Sequence, residues 1–279
     1  MTAAILLLEV VGGLLANSLA LLSDAGHVFT DLAALLLSLV ALRLSARPAN
    51  SRKTFGFHRF EILSALVNGV TLVVVSLFIF VEAYQRLRNP QPVHGLEVFI
   101  IATLGLVGNG AGVFLLRDAG NNLNMRGAFL HLVGDAISSV GVIIAGIVIM
   151  VTGWSIIDPL VSIGIGLIII VGAVRLIDES VDVLLEGTPR HIDLDKVMTS
   201  LYAVPGVCSI HDVHIWCVTP QLCTMSGHII LSDDNTIQAR DVLSQVNHVL
   251  THDYGIEHTT IQIEDEHCGH DDVQWLAAK

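Results

Sequence analysis

The stretch SDAGHVFTD, residues 23–31, places His27 and Asp31 four residues apart inside a long apolar run. A second stretch, AFLHLVGDAISS at residues 128–139, repeats this spacing with His131 and Asp135. Residues four apart on a helix share one face, about one turn from each other. If two such helices pack with these faces together, two imidazoles and two carboxylates converge, which is a ligand set for tetrahedral Zn²⁺.

Both pairs lie in segments apolar enough to cross a membrane. An aspartate at the centre of a membrane helix costs roughly 2.5–3.5 kcal/mol, so such groups need a function or a bound counter-ion. A single pair could simply be helix-end residues that face water, but two matching pairs are much harder to explain in that way. The sequence therefore predicts a metal site formed by His27, Asp31, His131 and Asp135.

Composition and charge divide the chain into two parts. Hydrophobic residues make up 53 %, charged residues 14 %, and the mean hydropathy is +0.70, whereas a soluble domain has about 25 % charged residues. Residues 1–186, with 13 acidic and 10 basic side chains, are predicted to form a membrane domain. Residues 187–279, with 13 acidic and 4 basic side chains and nine of the 13 histidines, form an acidic domain. This second part is a poor candidate for binding nucleic acid but is suited to attract divalent cations.

Six apolar runs predict six transmembrane helices, at about 20 residues per span: 3–16, 19–44, 62–84, 96–116, 127–151 and 157–176. The first run is short and begins at the initiator Met without a basic flank, so we expect the start of its helix to be missing. It has no signal-peptide pattern. Small residues in the later spans, Gly105, Gly108 and Gly146 among them, predict close packing of helices.

The distribution of basic residues predicts the orientation in the membrane. The connections after spans two and four carry seven: Arg43, Arg47, Arg52, Lys53, Arg59, Arg117 and Arg126. The connection between spans three and four is flanked by two, and that between spans five and six has none. By the positive-inside rule, both termini and the acidic domain are cytoplasmic.

Two further polar features near the spans have alternative interpretations. The loop RLSARPANSRKTFGFHRFE, residues 43–61, is typical of a solvated basic connection, although His58 could handle metal if it had partners outside the loop. Asp158 precedes Pro159 at the start of span six and is interpreted as a helix-start residue. A direct contact of Asp158 with the transported ion is the alternative.

After Pro189 the periodicity predicts a short helix at 193–202, strands at 207–218 and 222–231, a helix at 236–251 and a strand at 258–263. This αββαβ order indicates a small α+β domain, whose limited core favours dimerisation.

In a cytoplasmic domain the four cysteines are expected to be reduced, and Cys208 and Cys217 are interpreted as small buried apolar residues. No C-x-x-C occurs to suggest a Cys₄ zinc site.

A second candidate metal site lies in this domain. His211 of SIHDVHIW and His228 of SGHIILSD could occupy neighbouring strands, with Glu264 of IQIEDEH on a third. These residue types suit Zn²⁺, but histidine is also common on exposed strands, and the sequence does not determine the register. The tail EHCGHDD adds the donors His267, Cys268 and His270, either as a ligand arm or as a solvated acidic terminus.

Taken together, the stretches NSLALLSDAGHVFTD and TFGFHRFEIL, the second His-x-x-x-Asp pair, six spans and an αββαβ domain resemble the cation diffusion facilitators, particularly the zinc-transporting branch. This resemblance covers essentially the whole chain. It implies a homodimeric antiporter that exports Zn²⁺ from the cytoplasm in exchange for H⁺, in a bacterial plasma membrane. His27, Asp31, His131 and Asp135 match the family's transport site.

The resemblance also implies a metallochaperone-like fold for the cytoplasmic domain, with zinc bound at the dimer interface by residues that correspond to His211, His228 and Glu264. This sequence departs from the family's pattern in two loops. The acidic and His ligands that some members carry after span two are matched by Asn50, Lys53 and Phe57, and the His-rich loop between spans four and five is replaced by RDAGNNLNMR. We therefore expect neither a second site nor a zinc-collecting arm in these loops.

The ligand chemistry favours transport over two other functions. Metal ligands must be deprotonated, so Zn²⁺ and H⁺ compete for the same atoms, and the set suits Zn²⁺, Co²⁺ or Cd²⁺ better than Mg²⁺ or Ca²⁺. An intramembrane zinc enzyme would need an open coordination position, and no H-E-x-x-H occurs. A membrane-bound zinc sensor or scaffold that moves no ion is the other alternative.

Overall fold

The computed structural model describes residues 2–116, 123–219, 222–232 and 238–264, with the backbone alone at 115–116 and 123–131. The chain divides into two units. The first consists of Met1–Val40 and Ser64–Ile177, and the second of Ala41–Leu63 and Asp178–Lys279. The polar loop after the second helix thus belongs to the second unit. The domain boundary near Gly187 stays a prediction.

The described part of the chain contains six apolar helices: α1 (Thr2–Leu15), α2 (Leu19–Ser45), α3 (Phe60–Arg88), α4 (Gly95–Leu116), α5 (Leu123–Thr152) and α6 (Ile157–Leu184). Five of them, α2 to α6, are long and apolar enough to cross a membrane, whereas α1 has 14 residues. The chain is therefore an integral membrane protein with at least five candidate spans, and the count of six stays a prediction.

Small residues allow the helices of the first unit to approach closely, as the sequence predicted. A Cβ at Gly146 on α5 would lie 2.9 Å from the backbone nitrogen of Phe99 on α4, and a Cβ at Gly108 on α4 would lie 2.7 Å from the Ile5 side chain on α1. Alanine, valine, leucine and isoleucine side chains fill the centre of this bundle. Because the backbones are so close, polar side chains on different helices come within reach of one another.

The second unit contains α7 (Leu194–Tyr202), β1 (Val207–Thr219), β2 (Leu222–Leu231), α8 (Ala239–Tyr254) and β3 (Ile256–Glu264). The strand order is β1-β2-β3, with β1 and β2 antiparallel and β2 and β3 parallel. This is a small α+β domain with the predicted element order. Helix α8 buries Val242, Val246 and Leu250, which share one helix face at intervals of four residues.

Local signals define the ends of the two helices in this domain. The Asp193 side chain accepts a hydrogen bond from the Lys196 backbone N–H and caps α7. Contacts with the Lys196 side chain and with this N–H hold the pKa of Asp193 below its ordinary value. Helix α8 ends at Gly255, whose φ of 68° is left-handed, a conformation that glycine adopts without steric cost.

The cysteines differ from the sequence-based expectation. Cys217 is buried, as predicted, but it forms a disulfide with Cys223, because these two residues are directly opposite each other in the β1–β2 register. Cys208 is a free and exposed cysteine rather than a buried one. Cys268 lies outside the described residues.

Candidate metal centres

The first candidate centre lies between α2 and α5. His27 Nε2 is 3.6 Å from Asp31 Oδ2, one turn further along α2, and 3.5 Å from Asp135 Oδ1 on α5. The three side chains are mostly buried, with exposed fractions of 25 %, 19 % and 10 %. They form one of two groups of three or more metal-ligating side chains among the described residues.

These distances are longer than an ordinary hydrogen bond and are compatible with ligands that share a cation. Hydrogen bonds between nitrogen and oxygen are about 2.7–3.2 Å long. In a tetrahedral zinc site with bonds of about 2.1 Å, neighbouring ligand atoms are about 3.4 Å apart. The 3.5 and 3.6 Å separations around His27 Nε2 are close to that tetrahedral edge. Two of the three separations in this group thus have the length expected around a zinc ion, and all three donor atoms lie within 4.8 Å of one another.

The fourth predicted ligand, His131, has a side chain outside the described residues. Its backbone is helical and precedes Asp135 by one turn of α5. The structure thus brings three of the four predicted residues together and does not describe the fourth side chain. The assignment of His27, Asp31, His131 and Asp135 as a metal site stays a prediction.

Two buried acidic residues lie near this centre and were not identified from the sequence. Asp24 on α2 is 3 % exposed, and Ser139 Oγ on α5 donates a long hydrogen bond of 3.5 Å to its Oδ2. Glu9 on α1 is 1 % exposed. Asp24 has a recognisable signal, because it precedes His27 by three residues and so shares its helix face. Glu9 is the only charged residue in the first apolar run.

Asp158 holds the beginning of the helix that carries His27 and Asp31. At the start of α6 it is fully buried, and its carboxylate accepts hydrogen bonds from Ser18 Oγ (2.5 Å) and from the backbone N–H groups of Leu19 (2.7 Å) and Ala20 (3.3 Å). Asp158 therefore begins its own helix, as predicted, and also caps α2. With its oxygens used in this way, it is not part of the His27 group.

The second candidate centre lies on the three-stranded sheet. His211 on β1 is paired directly with His228 on β2, and Glu264 at the end of β3 is level with Ile230 of β2. His211 Nε2 is 3.3 Å from Glu264 Oε2, and His228 Nδ1 is 2.8 Å from Glu264 Oε1. The three predicted residues therefore come together, although their assignment as a zinc site stays a prediction.

Asp212, which was not identified from the sequence, lies beside His228 of this second centre. The β1–β2 register shifts between His211 and His214, and Asp212 has a left-handed φ of 51°. Its carboxylate lies 3.0 Å from His214 Nε2 and 3.8 Å from His228 Nε2. A β-bulge re-aims side chains in this way, and strict strand alternation would have placed Asp212 on the face opposite His211.

The other predicted donors do not join either centre within the described part of the chain. His58 lines a cavity of about 260 Å³ in the loop after α2, where the Lys53 ammonium lies 4.5 Å from the centre of the Phe57 ring. Neither group of metal-ligating side chains found among the described residues includes His58, and the structural interpretation of this loop stays a prediction. The tail residues His267, Cys268 and His270 lie outside the described residues.

Comparison with known proteins identifies the family. Residues 1–185 match the cation efflux transmembrane domain, and residues 189–266 match the cytoplasmic domain of cation efflux proteins. The chain is 40 % identical to a Bacillus subtilis protein named cadmium, cobalt and zinc/H⁺-K⁺ antiporter, over 96 % of this chain and 87 % of that protein. It is 42 % identical to the zinc transporter ZitB of Escherichia coli, over 96 % and 85 %.

A third relative is CzcD of Cupriavidus metallidurans, a metal cation efflux system protein that is 39 % identical over 95 % of this chain and 84 % of that protein. The solved metal-bound C-terminal domain of CzcD is 34 % identical, and the match covers 26 % of this chain and 99 % of that structure. Its TM-score of 0.24 supports no comparison of the two folds. On the full-length matches, the chain belongs to the cation efflux family, whose members are membrane transporters rather than enzymes.

Proposed function

We propose that this protein exports Zn²⁺ from the cytoplasm in exchange for H⁺ by alternating access. The observation that carries the proposal is the group His27, Asp31 and Asp135, whose donor atoms come from two apolar helices and lie within 4.8 Å of one another. Membership in the cation efflux family and the names of the zinc-transporting relatives support the same substrate.

The exchange follows from the ligand chemistry. Imidazole and carboxylate bind a metal only when deprotonated, so binding of Zn²⁺ displaces protons and a low pH weakens binding. Histidine has an ordinary pKa near 6.5, so its protonation changes across the physiological range. If the site opens alternately to the two sides of the membrane, each side can exchange one cation for the other. With His131 as the fourth ligand the coordination is closed, which suits a carried ion rather than a catalytic one.

The arrangement in the membrane is part of the proposal. Six spans, counting the short α1, would put both termini on one side, and the basic connections support a cytoplasmic location for that side. The bacterial relatives support the bacterial plasma membrane as its location. The match of residues 189–266 to the family's cytoplasmic domain, together with its small core, supports a homodimer formed through this domain.

For the cytoplasmic domain we propose a regulatory zinc site formed by His211, His228 and Glu264. Two imidazoles and one carboxylate provide three ligands, and their donor atoms lie within 4.8 Å of one another. Zinc bound here would stabilise the folded domain and would report the cytoplasmic zinc concentration. The disulfide of Cys217 and Cys223 uses both thiols, so neither is a ligand in this state.

The decisive experiment measures uptake of radioactive zinc into inverted membrane vesicles. We expect uptake that requires an outward proton gradient, with the vesicle interior acidic, and that stops when an ionophore collapses this gradient. The double variant Asp31→Asn, Asp135→Asn should not accumulate zinc. A sensor or an enzyme would bind zinc without accumulation, so saturable binding without gradient-dependent uptake would refute the proposed function.

A further inference from the structure

Glu9 is a buried acidic residue that is not one of the proposed zinc ligands, so zinc binding by those ligands does not explain its presence. It lies in the middle of α1 and is 1 % exposed. Within the described part of the chain, its Oε2 atom is buried and has no hydrogen-bond partner. Every other residue of α1 is uncharged, so the helix keeps one carboxyl group at a position where it is costly.

The packing around Glu9 connects it to the first candidate metal centre. Gly105 on α4 leaves the space that the carboxyl group occupies, since a Cβ there would lie 2.9 Å from Glu9 Oε1. A Cβ at Gly105 would also lie 3.9 Å from Ser139 Oγ on α5. Ser139 Oγ in turn donates a hydrogen bond to Asp24 on α2. Glu9 and Ser139 therefore both adjoin Gly105, and Ser139 contacts the acidic residue one turn before His27.

The charged and titratable groups that face Glu9 determine when it can ionise. They are Asp24 and His27 on α2 and Asp135 on α5, whereas α4 presents Gly105. Two of these three groups are carboxylates, and no hydrogen-bond donor reaches Oε2 among the described residues. A buried carboxyl group in such surroundings is more stable with a proton. A divalent cation at His27, Asp31 and Asp135 adds positive charge nearby and favours the ionised form.

From this arrangement we propose that Glu9 is a proton-carrying residue of the exchange, separate from the zinc ligands. The proposal rests on the proposed Zn²⁺/H⁺ exchange. When Zn²⁺ binds, the O–H bond of the Glu9 carboxylic acid breaks and its proton leaves to water. When Zn²⁺ leaves, a proton from the other side of the membrane rebinds to the carboxylate. The ion and this proton are then coupled by charge across the packed helices and need not compete for the same atom.

The test counts the protons released when zinc binds to the full-length protein in detergent. Isothermal titration calorimetry in buffers of different ionisation enthalpy gives this number directly. We expect Glu9→Gln to bind zinc but to release about one proton fewer than the parent. In proteoliposomes the same variant should transport zinc with a weaker dependence on the pH gradient.

The matched control is Glu97→Gln, which removes an exposed glutamate that contacts His94 at the start of α4. This control should release as many protons as the parent. If Glu9→Gln also releases the parental number, Glu9 carries no proton in the exchange and the inference is wrong. If instead the parent takes up no zinc against a proton gradient, the proposed function itself fails, which is a different result.

A second measurement does not depend on how well Glu9→Gln folds. Infrared difference spectra of the parent, with and without zinc, should show loss of the carbonyl stretch of a protonated carboxylic acid. The conservative variant Glu9→Asp keeps a carboxyl group at the same position and should show the band at a shifted frequency. If the parent shows no such band, or if the band is unshifted in Glu9→Asp, Glu9 does not carry this proton and the inference is wrong.

Discussion

At the residue scale, the first candidate centre depends on the position of one imidazole nitrogen. His27 Nε2 lies at nearly equal distances from an oxygen of Asp31 and an oxygen of Asp135. It is the one nitrogen donor among the three described side chains of this group. The metal preference of the site therefore depends strongly on this residue, because a nitrogen donor favours Zn²⁺ and oxygen donors favour harder ions.

We predict that His27→Asp broadens the range of transported metals toward Mn²⁺. The change replaces a borderline nitrogen donor with a hard oxygen donor. Vesicle transport of zinc and manganese, measured in parallel, gives the selectivity ratio. His94→Asp is the control, since His94 is exposed, and it should keep the parental ratio. An unchanged ratio in His27→Asp would remove His27 from the site.

We predict that Asp135→Asn weakens zinc binding by at least about tenfold and abolishes zinc flux driven by a pH gradient. The amide keeps one oxygen donor of similar size, but it lowers the negative charge at the ion by one and cannot exchange a proton. We expect the same loss of zinc binding and of gradient-driven zinc flux in Asp31→Asn. The measurement pairs calorimetric zinc titration with flux in proteoliposomes.

Asp253→Asn, a change at an exposed residue of α8, is the control for these two variants and should match the parent in both measurements. If either Asp135→Asn or Asp31→Asn transports at the parental rate with the same dependence on the gradient, that carboxylate is neither a ligand nor a proton carrier.

At the scale of elements, the position of α2 is set by groups at its first turn. Asp158 of α6 caps the helix, and Arg86 of α3 donates a 2.7 Å hydrogen bond to the carbonyl of Asn17. Asn17 has a left-handed φ of 51° and its side chain donates to the carbonyl of Pro92. Three other parts of the first unit, namely α6, α3 and the α3–α4 connection, thereby hold the turn between α1 and α2. They also set the rotation and depth of the helix that carries His27 and Asp31.

We predict that Asp158→Ala lowers the stability of the folded protein by about 1–2 kcal/mol, since it leaves Ser18 and the first N–H groups of α2 without their acceptor. Zinc affinity should fall as well, because α2 can then shift along its axis. Asp158→Asn retains one acceptor oxygen and should lose less of both. Thermal unfolding in detergent and calorimetric zinc titration test this. Equal losses in the two variants would argue against a capping role.

Across the molecule as a whole, the described residues of each unit contain one candidate metal centre. The first unit holds its centre between apolar helices, and the second holds its centre on a small sheet whose core comes from α7, α8 and the strands. The two centres use similar ligands but differ in their surroundings. The first is suited to a transported ion and the second to an ion that stabilises a fold.

We predict that residues 187–279, expressed alone, form a folded dimer whose melting temperature rises with zinc. Free zinc at about 100 times the dissociation constant would add about 2.7 kcal/mol to the stability. The triple variant His211→Ala, His228→Ala, Glu264→Ala should fold but lose this rise. Differential scanning calorimetry and analytical ultracentrifugation give the two readouts.

The control for this prediction is the double variant His248→Ala, His252→Ala, which removes two exposed histidines of α8 and should keep the zinc effect. A zinc-dependent rise that survives the triple variant would place the ligands elsewhere, for example among His267, Cys268 and His270.

Local sequence patterns predict the helices and strands and the residues that are neighbours within each of them. Helical periodicity and spacing place His27 next to Asp31, and Val242 next to Val246, whatever the rest of the chain does, because a helix repeats every 3.6 residues. Hydrophobic runs and strand patterns likewise predicted the helices and strands to within about four residues of their observed ends, except for the longer end of α6. These features depend only on residues that are close together in the sequence.

Which helices and strands meet, and how each is rotated, follows from long-range packing and became visible in the folded structure. Packing across glycines brings Glu9 and Asp24 into the region of Asp135, although α1, α2 and α5 are distant in sequence. A bulge turns Asp212 toward His228, and Asp158 caps a helix that begins 139 residues earlier. Rotation of a helix about its axis, strand register and bulges cost little locally and are determined by long-range contacts, which no local pattern in the sequence encodes.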